Sequence, residues 1–203
     1  MGKHETGYSV APLYCYPTKQ SHPIDALAHH LPLRGTNVWE CASAYSDMAR
    51  DLRRHEATVY TSDIVDYGAG QDAVIDFLSG QEPPFDFDLI ITNPPGGPRN
   101  TTAVKFIERG LEHVAQRCAT LALLLPADFD SARTRRHLFV DCPFFSSTIV
   151  LTRRIVWFER QDGKREAPKE NHRWFVWRPD PERPPVHLYD PESQRSATEV
   201  GNG

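Results

Sequence analysis

Apolar and polar positions follow two periods along this chain, and the switches between them predict its elements. Residues 23–33, "PIDALAHHLPL", place Ile24, Leu27, Ala28 and Leu31 on one face at helical spacing. Gly35 breaks that pattern, and "TNVWE" follows as a short strand ending in an acid, Glu40. "SAYSDMARDLRRHE" returns to the helical period through Tyr45, Met48, Ala49 and Leu52, with Ser43 as its N-cap. "ATVYTSD" is a second strand that ends in an acid, Asp63, and "QDAVIDFLS" reads as a helix containing Asp76 and Phe77. Residues 87–91 form a strand that runs straight into "TNPPGG". "TTAVKFIERGLEHVA" is an amphipathic helix with Val104, Ile107, Leu111 and Val114 aligned. "ATLALLLP" is apolar throughout, as a parallel strand buried on both faces would be. "DSARTRRHLFV" reads as a basic helix. Two β-rich segments, "SSTIVLTRRIVWF" and "HRWFVWRP", then flank a charged loop.

This alternation predicts an α/β sandwich with a mainly parallel sheet, helices on both faces and an antiparallel strand at its C-terminal end. In such sheets ligands sit beyond the carboxyl ends of the strands. Glu40, Asp63 and Asn93 all fall at strand ends, and Asp76 joins them just before Phe77. These positions are expected to converge.

Composition changes the picture little. The chain has 203 residues, is 39% hydrophobic and 25% charged, and contains no apolar run long enough to span a bilayer. Its first residues lack the apolar core of a signal peptide, which favours a cytoplasmic location. The four cysteines fall in no metal-ligand spacing, so no metal site is expected. Charge is uneven. Residues 1–98 hold 6 Lys/Arg against 13 Asp/Glu, whereas residues 99–183 hold 16 against 11. A polyanion would meet the second half, through Arg133, Arg135, Arg136, Arg153, Arg154, Lys164 and Arg165.

The strand-end acids suit vicinal hydroxyls, because one carboxylate can accept from two donors. The turn after the first strand, "ECASAY", has no glycine with which to cradle a phosphate, so a nucleoside fits better than a dinucleotide. Asn-Pro-Pro adds chemistry. Neither proline offers an N–H, so the Asn93 side-chain oxygen and the Pro94 carbonyl can both accept from one planar –NH2 group and aim its lone pair at an electrophile. An ordinary strand-ending turn would also use these residues.

Taken together, these motifs resemble a known family. Residues 16–178 are similar to the class I S-adenosylmethionine-dependent amino-methyltransferases of DNA. They resemble most the compact N6-adenine methyltransferases of phage and prophage type, in the gamma order of motifs. "YPTKQSHPIDALAHHLPL", "VWECASAYSDM", "TSDIVDYG" and "DFL" match the cofactor motifs, and "TNPPGG" matches the catalytic Asn-Pro-Pro-aromatic. The resemblance implies a Rossmann-like methyltransferase sandwich, S-adenosylmethionine as cofactor and methyl transfer to adenine N6 in DNA. Thr18, Glu40, Ala42 and Ala44 would line the methionine end of the cofactor. Asp63 would hold its ribose, and Asp76 with Phe77 its adenine. Asn93, Pro94 and Pro95 would grip a flipped-out target amine.

The chain departs from the family pattern at Lys19 and Cys41, which stand in place of prolines. Ala44 and Ser46 replace glycines, and Gly96 replaces the aromatic residue. Trp157 or Phe158 could then supply the missing stacking face, and Phe129 is a weaker candidate. Two other functions fit the same residues. One is a catalytically lapsed protein that binds DNA or another subunit, with room for self-association. The other is methylation of cytosine N4 or of a protein glutamine. Residues 1–15 read as a leader and 179–203 as a polar extension without stable structure.

Overall fold

A computed structural model of the chain describes residues 18–157, 170–181 and 184–191. Eight strands form one sheet: β1 (Asn37–Glu40), β2 (Thr58–Asp63), β3 (Ala73–Val74), β4 (Leu89–Thr92), β5 (Thr120–Pro126), β6 (Phe145–Val150), β7 (His172–Trp177) and β8 (Val186–Tyr189). Their order is β3-β2-β1-β4-β5-β7-β6-β8. β7 runs antiparallel to both β5 and β6, and every other pairing is parallel. The α/β class, the mainly parallel sheet and the antiparallel C-terminal strand are therefore as expected.

Among the described residues, three α-helices pack on the sheet: α1 (His22–His30), α2 (Asp47–Arg54) and α3 (Thr101–Arg117). Strand alternation divides the core between two faces. In β5, Leu121, Leu123 and Leu125 join Phe106, Ile107 and Val114 of α3. Ala122 and Leu124 point the other way, toward Ile24 and Leu27 of α1 and Met48 and Leu52 of α2. Three tryptophans are fully buried, and each satisfies its indole N–H: Trp39 donates to Ser62 Oγ (2.9 Å), Trp174 to the Pro23 carbonyl (2.7 Å) and Trp177 to the Leu138 carbonyl (2.8 Å). No helix among the described residues is long and apolar enough to cross a membrane.

Several local expectations need correction. The segment "QDAVIDFLS" is not an α-helix; it holds β3 and a short 3-10 helix, Phe77–Ser79. Asp72 accepts from both the N–H and the hydroxyl of Thr61 (2.8 Å each), which draws the segment onto β2. Asp76 accepts from Leu78 N–H, so side-chain bonds outcompete the helix. α2 begins at Asp47 with Ser46 at its N-cap position, rather than at Ser43. α3 buries Ala103, Phe106, Ile107, Gly110, His113 and Val114, a face rotated from the aligned Val104 and Leu111. The basic "RTRRHL" segment is a six-residue 3-10 helix, Arg133–Leu138.

β8 lies inside the segment read as an unstructured extension. It pairs with β6 and is tied down by polar contacts: His30 Nε2 donates to the Tyr189 carbonyl (2.7 Å), and His187 Nδ1 hydrogen-bonds Thr148 Oγ1 (2.8 Å). The leader, residues 158–169 and residues 192–203 lie outside the described residues.

Candidate active site

β1, β2 and β4 run parallel, so Glu40, Asp63 and Asn93 emerge at one edge of the sheet. There a cleft of about 440 Å³ opens. Thr18, Glu40, Ala42, Ala44, Asp63, Asp76, Phe77, Asn93 and Pro95 all line it. Pro94 is buried and does not line the cleft, and Gly96 does not line it either. Along 93–97, Asn93, Pro95 and Gly97 thus face the cleft, while the alternate residues do not.

Glu40 is the electrostatic centre of the cleft. Only 1% of its surface is exposed, and its Oε1 accepts from the Thr92 hydroxyl (2.9 Å). Burial raises its carboxyl to about 8, the negative charge of Asp63 adds to the shift, and the Thr92 bond opposes it. Glu40 Oε2 and Ser43 Oγ are buried without a hydrogen-bond partner among the described residues, and both residues line the cleft. Buried polar atoms of this kind ask for a ligand or water. Beside Glu40, the thiol of Cys41 is pushed well above its usual range, chiefly by burial, so it stays protonated and unreactive.

Asp63 accepts from Ala44 N–H through Oδ2 (3.0 Å) and from Val65 N–H through Oδ1 (3.2 Å). Each oxygen keeps a second lone pair, which leaves capacity for two hydroxyls. Asp76 uses Oδ1 for Leu78 N–H (2.9 Å), so Oδ2 can take a further donor. Phe77 stacks on Phe106 with centroids 4.9 Å apart, and both line the cleft. Asn93 Nδ2 points to Thr18 Oγ1 (3.4 Å), which sets the orientation of its amide.

The two glycine replacements carry backbone strain. Ala44 (φ 46°) and Ser46 (φ 58°) both adopt the left-handed conformation that favours glycine. The turn keeps its shape, and the backbone conformation is held by Asp63 on the Ala44 N–H. Beyond Asn-Pro-Pro, Gly97 is required: its φ is 68°, and a Cβ there would meet Thr102, whose own Cβ would lie 2.8 Å away. Gly96 is different. A Cβ there meets only Asn100 Oδ1, at 3.0 Å, so the Asn100 amide stands where a side chain at 96 would project.

Among the described residues, Arg153, Arg154 and Trp157 follow β6 at the same sheet edge as Asn93, and Phe129 follows β5 there. Trp157 packs on the second core cluster with its ring 5.0 Å from that of His172, and it does not line the cleft. His172 is held neutral, its pKa lowered to about 4 by burial. Phe129 is buried, with the Arg135 guanidinium 4.0 Å from its centroid. Arg133 is exposed, and Arg136 pairs with Asp141 (2.9 Å). Arg153 and Arg154 are exposed after β6, with Arg154 Nε donating to Asn171 Oδ1 (2.7 Å). Phe158, Lys164 and Arg165 lie outside the described residues. Ser43, read from sequence only as an N-cap, also lines the cleft, as do Tyr67, Thr102 and Phe106, which were not singled out as site residues. Tyr67 follows the acidic strand end in a polar loop, a half-buried aromatic that could have drawn notice. Phe106 sits in a helix whose buried face was misjudged by one position.

Most of the architecture has parallels among solved structures. A protein of Listeria monocytogenes assigned to the class I S-adenosylmethionine-dependent methyltransferases superposes with a TM-score of 0.57 at 13% identity, over 90% of this chain and 68% of that one. The fold is that of the class I methyltransferases. A protein of Pyrococcus horikoshii assigned as an RNA methyltransferase gives a TM-score of 0.59 at 12% identity, over 78% of this chain and 83% of that one. The type I restriction-modification system methyltransferase subunit of Streptococcus thermophilus gives 0.56 at 14% identity, over 85% of this chain. This chain spans 46% of that subunit. No protein-family model and no curated protein matches the sequence significantly.

Proposed function

We propose that the protein is an S-adenosylmethionine-dependent methyltransferase that acts on the exocyclic N6 amine of adenine in DNA. The observation that carries this reading is the meeting, in one cleft, of a buried carboxylate oxygen without a partner, two further acids and an Asn-Pro-Pro strand end. The donor set fits the cofactor. Glu40 Oε2 suits its ammonium group, Asp63 its ribose diol, and Asp76 with the Phe77–Phe106 stack its adenine. When bound, S-adenosylmethionine supplies an electrophilic methyl group.

The residues of the chain then do the rest. Asn93 Oδ1 accepts a hydrogen of the target amine and holds its lone pair toward the cleft, whereas Pro94, which does not line the cleft, is not assigned the second acceptor role that the resemblance implies. The amine loses its proton only as or after the new bond forms, so no strong base is required. An ammonium beside Glu40 favours the ionised carboxylate, so cofactor binding near neutral pH releases a proton to solvent. The basic second half of the chain and the likeness to a restriction-modification methyltransferase subunit support DNA as the substrate.

The test is incubation of the protein with unmethylated DNA and methyl-tritiated cofactor, followed by digestion to nucleosides. Label in N6-methyldeoxyadenosine supports the reading. Label in N4-methylcytosine, or in protein only, replaces it. A second reading, a DNA-binding or accessory protein with lapsed catalysis, is favoured by the strained Ala44 and Ser46 and by Gly96. It predicts DNA binding without thermal stabilisation by saturating S-adenosylmethionine, since a ligand that binds only the native state must stabilise it.

A further inference from the structure

The segment at 18–22 reaches from the cofactor cleft to the stretch that follows β6. Thr18 lines the cleft and accepts from the Asn93 amide. Two residues on, the side chain of Gln20 makes a reciprocal pair with the backbone of Val156. Its Nε2 donates to the Val156 carbonyl (2.9 Å), and its Oε1 accepts from the Val156 N–H (3.1 Å). His22 Nε2 donates to the Arg153 carbonyl (3.2 Å). From the opposite side, Asp190 at the end of β8 accepts from the backbone N–H and the hydroxyl of Thr152. Residues 151–157 have no regular secondary structure, yet remote side chains hold their backbone where a ladder partner would. On this shelf Thr152, Arg153 and Arg154 are exposed. It follows β6, so it lies at the sheet edge from which Asn93 emerges.

We propose that Gln20 is a positioning residue for the target strand. It clamps the shelf of residues 152–157 to the segment that lines the cofactor cleft, and so sets Arg153 and Arg154 in register with Asn93 against a nucleic-acid backbone. This rests on the nucleic-acid substrate proposed above. The residue type is the one the geometry requires. A primary amide carries a donor and an acceptor on one plane and can satisfy both backbone groups of a single residue, whereas glutamate lacks the donor and methionine lacks both. Phosphate contacts fix register and orientation without reading sequence, so a misplaced shelf weakens binding to every DNA alike.

The experiment measures binding of unmethylated duplex DNA to the full chain loaded with S-adenosylhomocysteine, by fluorescence anisotropy at several salt concentrations. Calorimetry gives the affinity for S-adenosylhomocysteine alongside. Gln20→Met should weaken DNA binding by about tenfold, the loss expected of two hydrogen bonds, with the affinity for S-adenosylhomocysteine within about twofold of wild type. Gln20→Glu, which keeps one bond, should fall between. Replacing Arg153 and Arg154 by alanine should reduce the salt slope by up to about 1.8. Adding Gln20→Met to that background should then cost less than about twofold, because the clamp acts through those arginines. The inference is overturned if Gln20→Met leaves DNA affinity unchanged, if its effect multiplies fully with that of the arginine variants, or if it weakens cofactor binding in parallel. Failure of the wild-type protein to bind DNA would instead overturn the substrate proposed above, which separates the two outcomes.

Discussion

The two halves of the candidate site are built in different ways. The cofactor half gathers strand ends that follow one another in sequence, β1, β2 and β3, and its acids hold nearby turns: Asp63 holds Val65 and, 19 positions away, Ala44, and Asp76 holds Leu78. The target half is assembled from distant pieces. Asn93 meets Thr18, and the shelf after β6 is held by Gln20, His22 and Asp190. A cofactor that never changes can be met by one local frame. A nucleic acid must be met by surfaces that only the finished fold brings together. Thr92, whose hydroxyl reaches Glu40, is the hinge between the halves.

Variants can separate them. The largest effect is expected from Asn93→Ala, which removes one amine acceptor and should slow methyl transfer by about 10²–10³-fold, by comparison with the loss of one oxyanion-hole donor. Single-turnover kinetics would show this, with cofactor affinity unchanged. Loss of cofactor binding as well would mean the halves are not separable. Gly97→Ala should be next. It combines a left-handed backbone with a clash at Thr102 and should destabilise the fold by about 2–3 kcal/mol, seen as a lowered denaturant midpoint.

Glu40→Gln should act on the cofactor half alone, weakening S-adenosylhomocysteine by about tenfold. Its effect on the unliganded protein has the opposite sign. The Glu40 carboxyl is raised from 4.5 to about 8, so the stability it contributes is present below pH 4.5 and is lost as pH rises through 8. The glutamine variant should therefore melt above wild type at pH 8, with the gap closing toward pH 5. A constant gap would show that Glu40 does not titrate there. The smallest effect is expected from Ala44→Gly. Relief of the left-handed strain, about 1–2 kcal/mol, is partly offset by the entropy of glycine, about 0.5–1 kcal/mol. Chemical denaturation should show a gain of about 0.5–1 kcal/mol, and a loss would mean that the turn is not strained.

How much of this could be read from sequence follows the same division. Glu40, Asp63 and Asn93 were legible because strand periodicity ends at each of them, and parallel pairing carries all three to one edge. The strained positions, Ala44 and Ser46, were marked in the sequence as replacements of glycines, though the left-handed backbone itself was not. The segment at 72–79 misled because its helical spacing ignores what Asp72 does to Thr61. β8 was hidden because its stabilisation is polar: His30, His187 and Asp190 hold it, and a hydropathy pattern records none of them. The Gln20 clamp spans 136 positions of sequence, and no local pattern encodes it. Asn100 is the same kind of case, since its place beside Gly96 depends on left-handed conformations at Arg99 and Asn100 that sequence does not announce.

The central claim, that the acids at the strand ends form one cofactor site joined to an independent amine grip, is tested most directly by calorimetric titration of S-adenosylhomocysteine into three proteins. Wild type and Asn93→Ala should bind it one-to-one with equal affinity, and Asp63→Asn should bind it about tenfold more weakly or worse. An absence of saturable binding by wild type, or an Asp63→Asn affinity equal to wild type, would contradict the account.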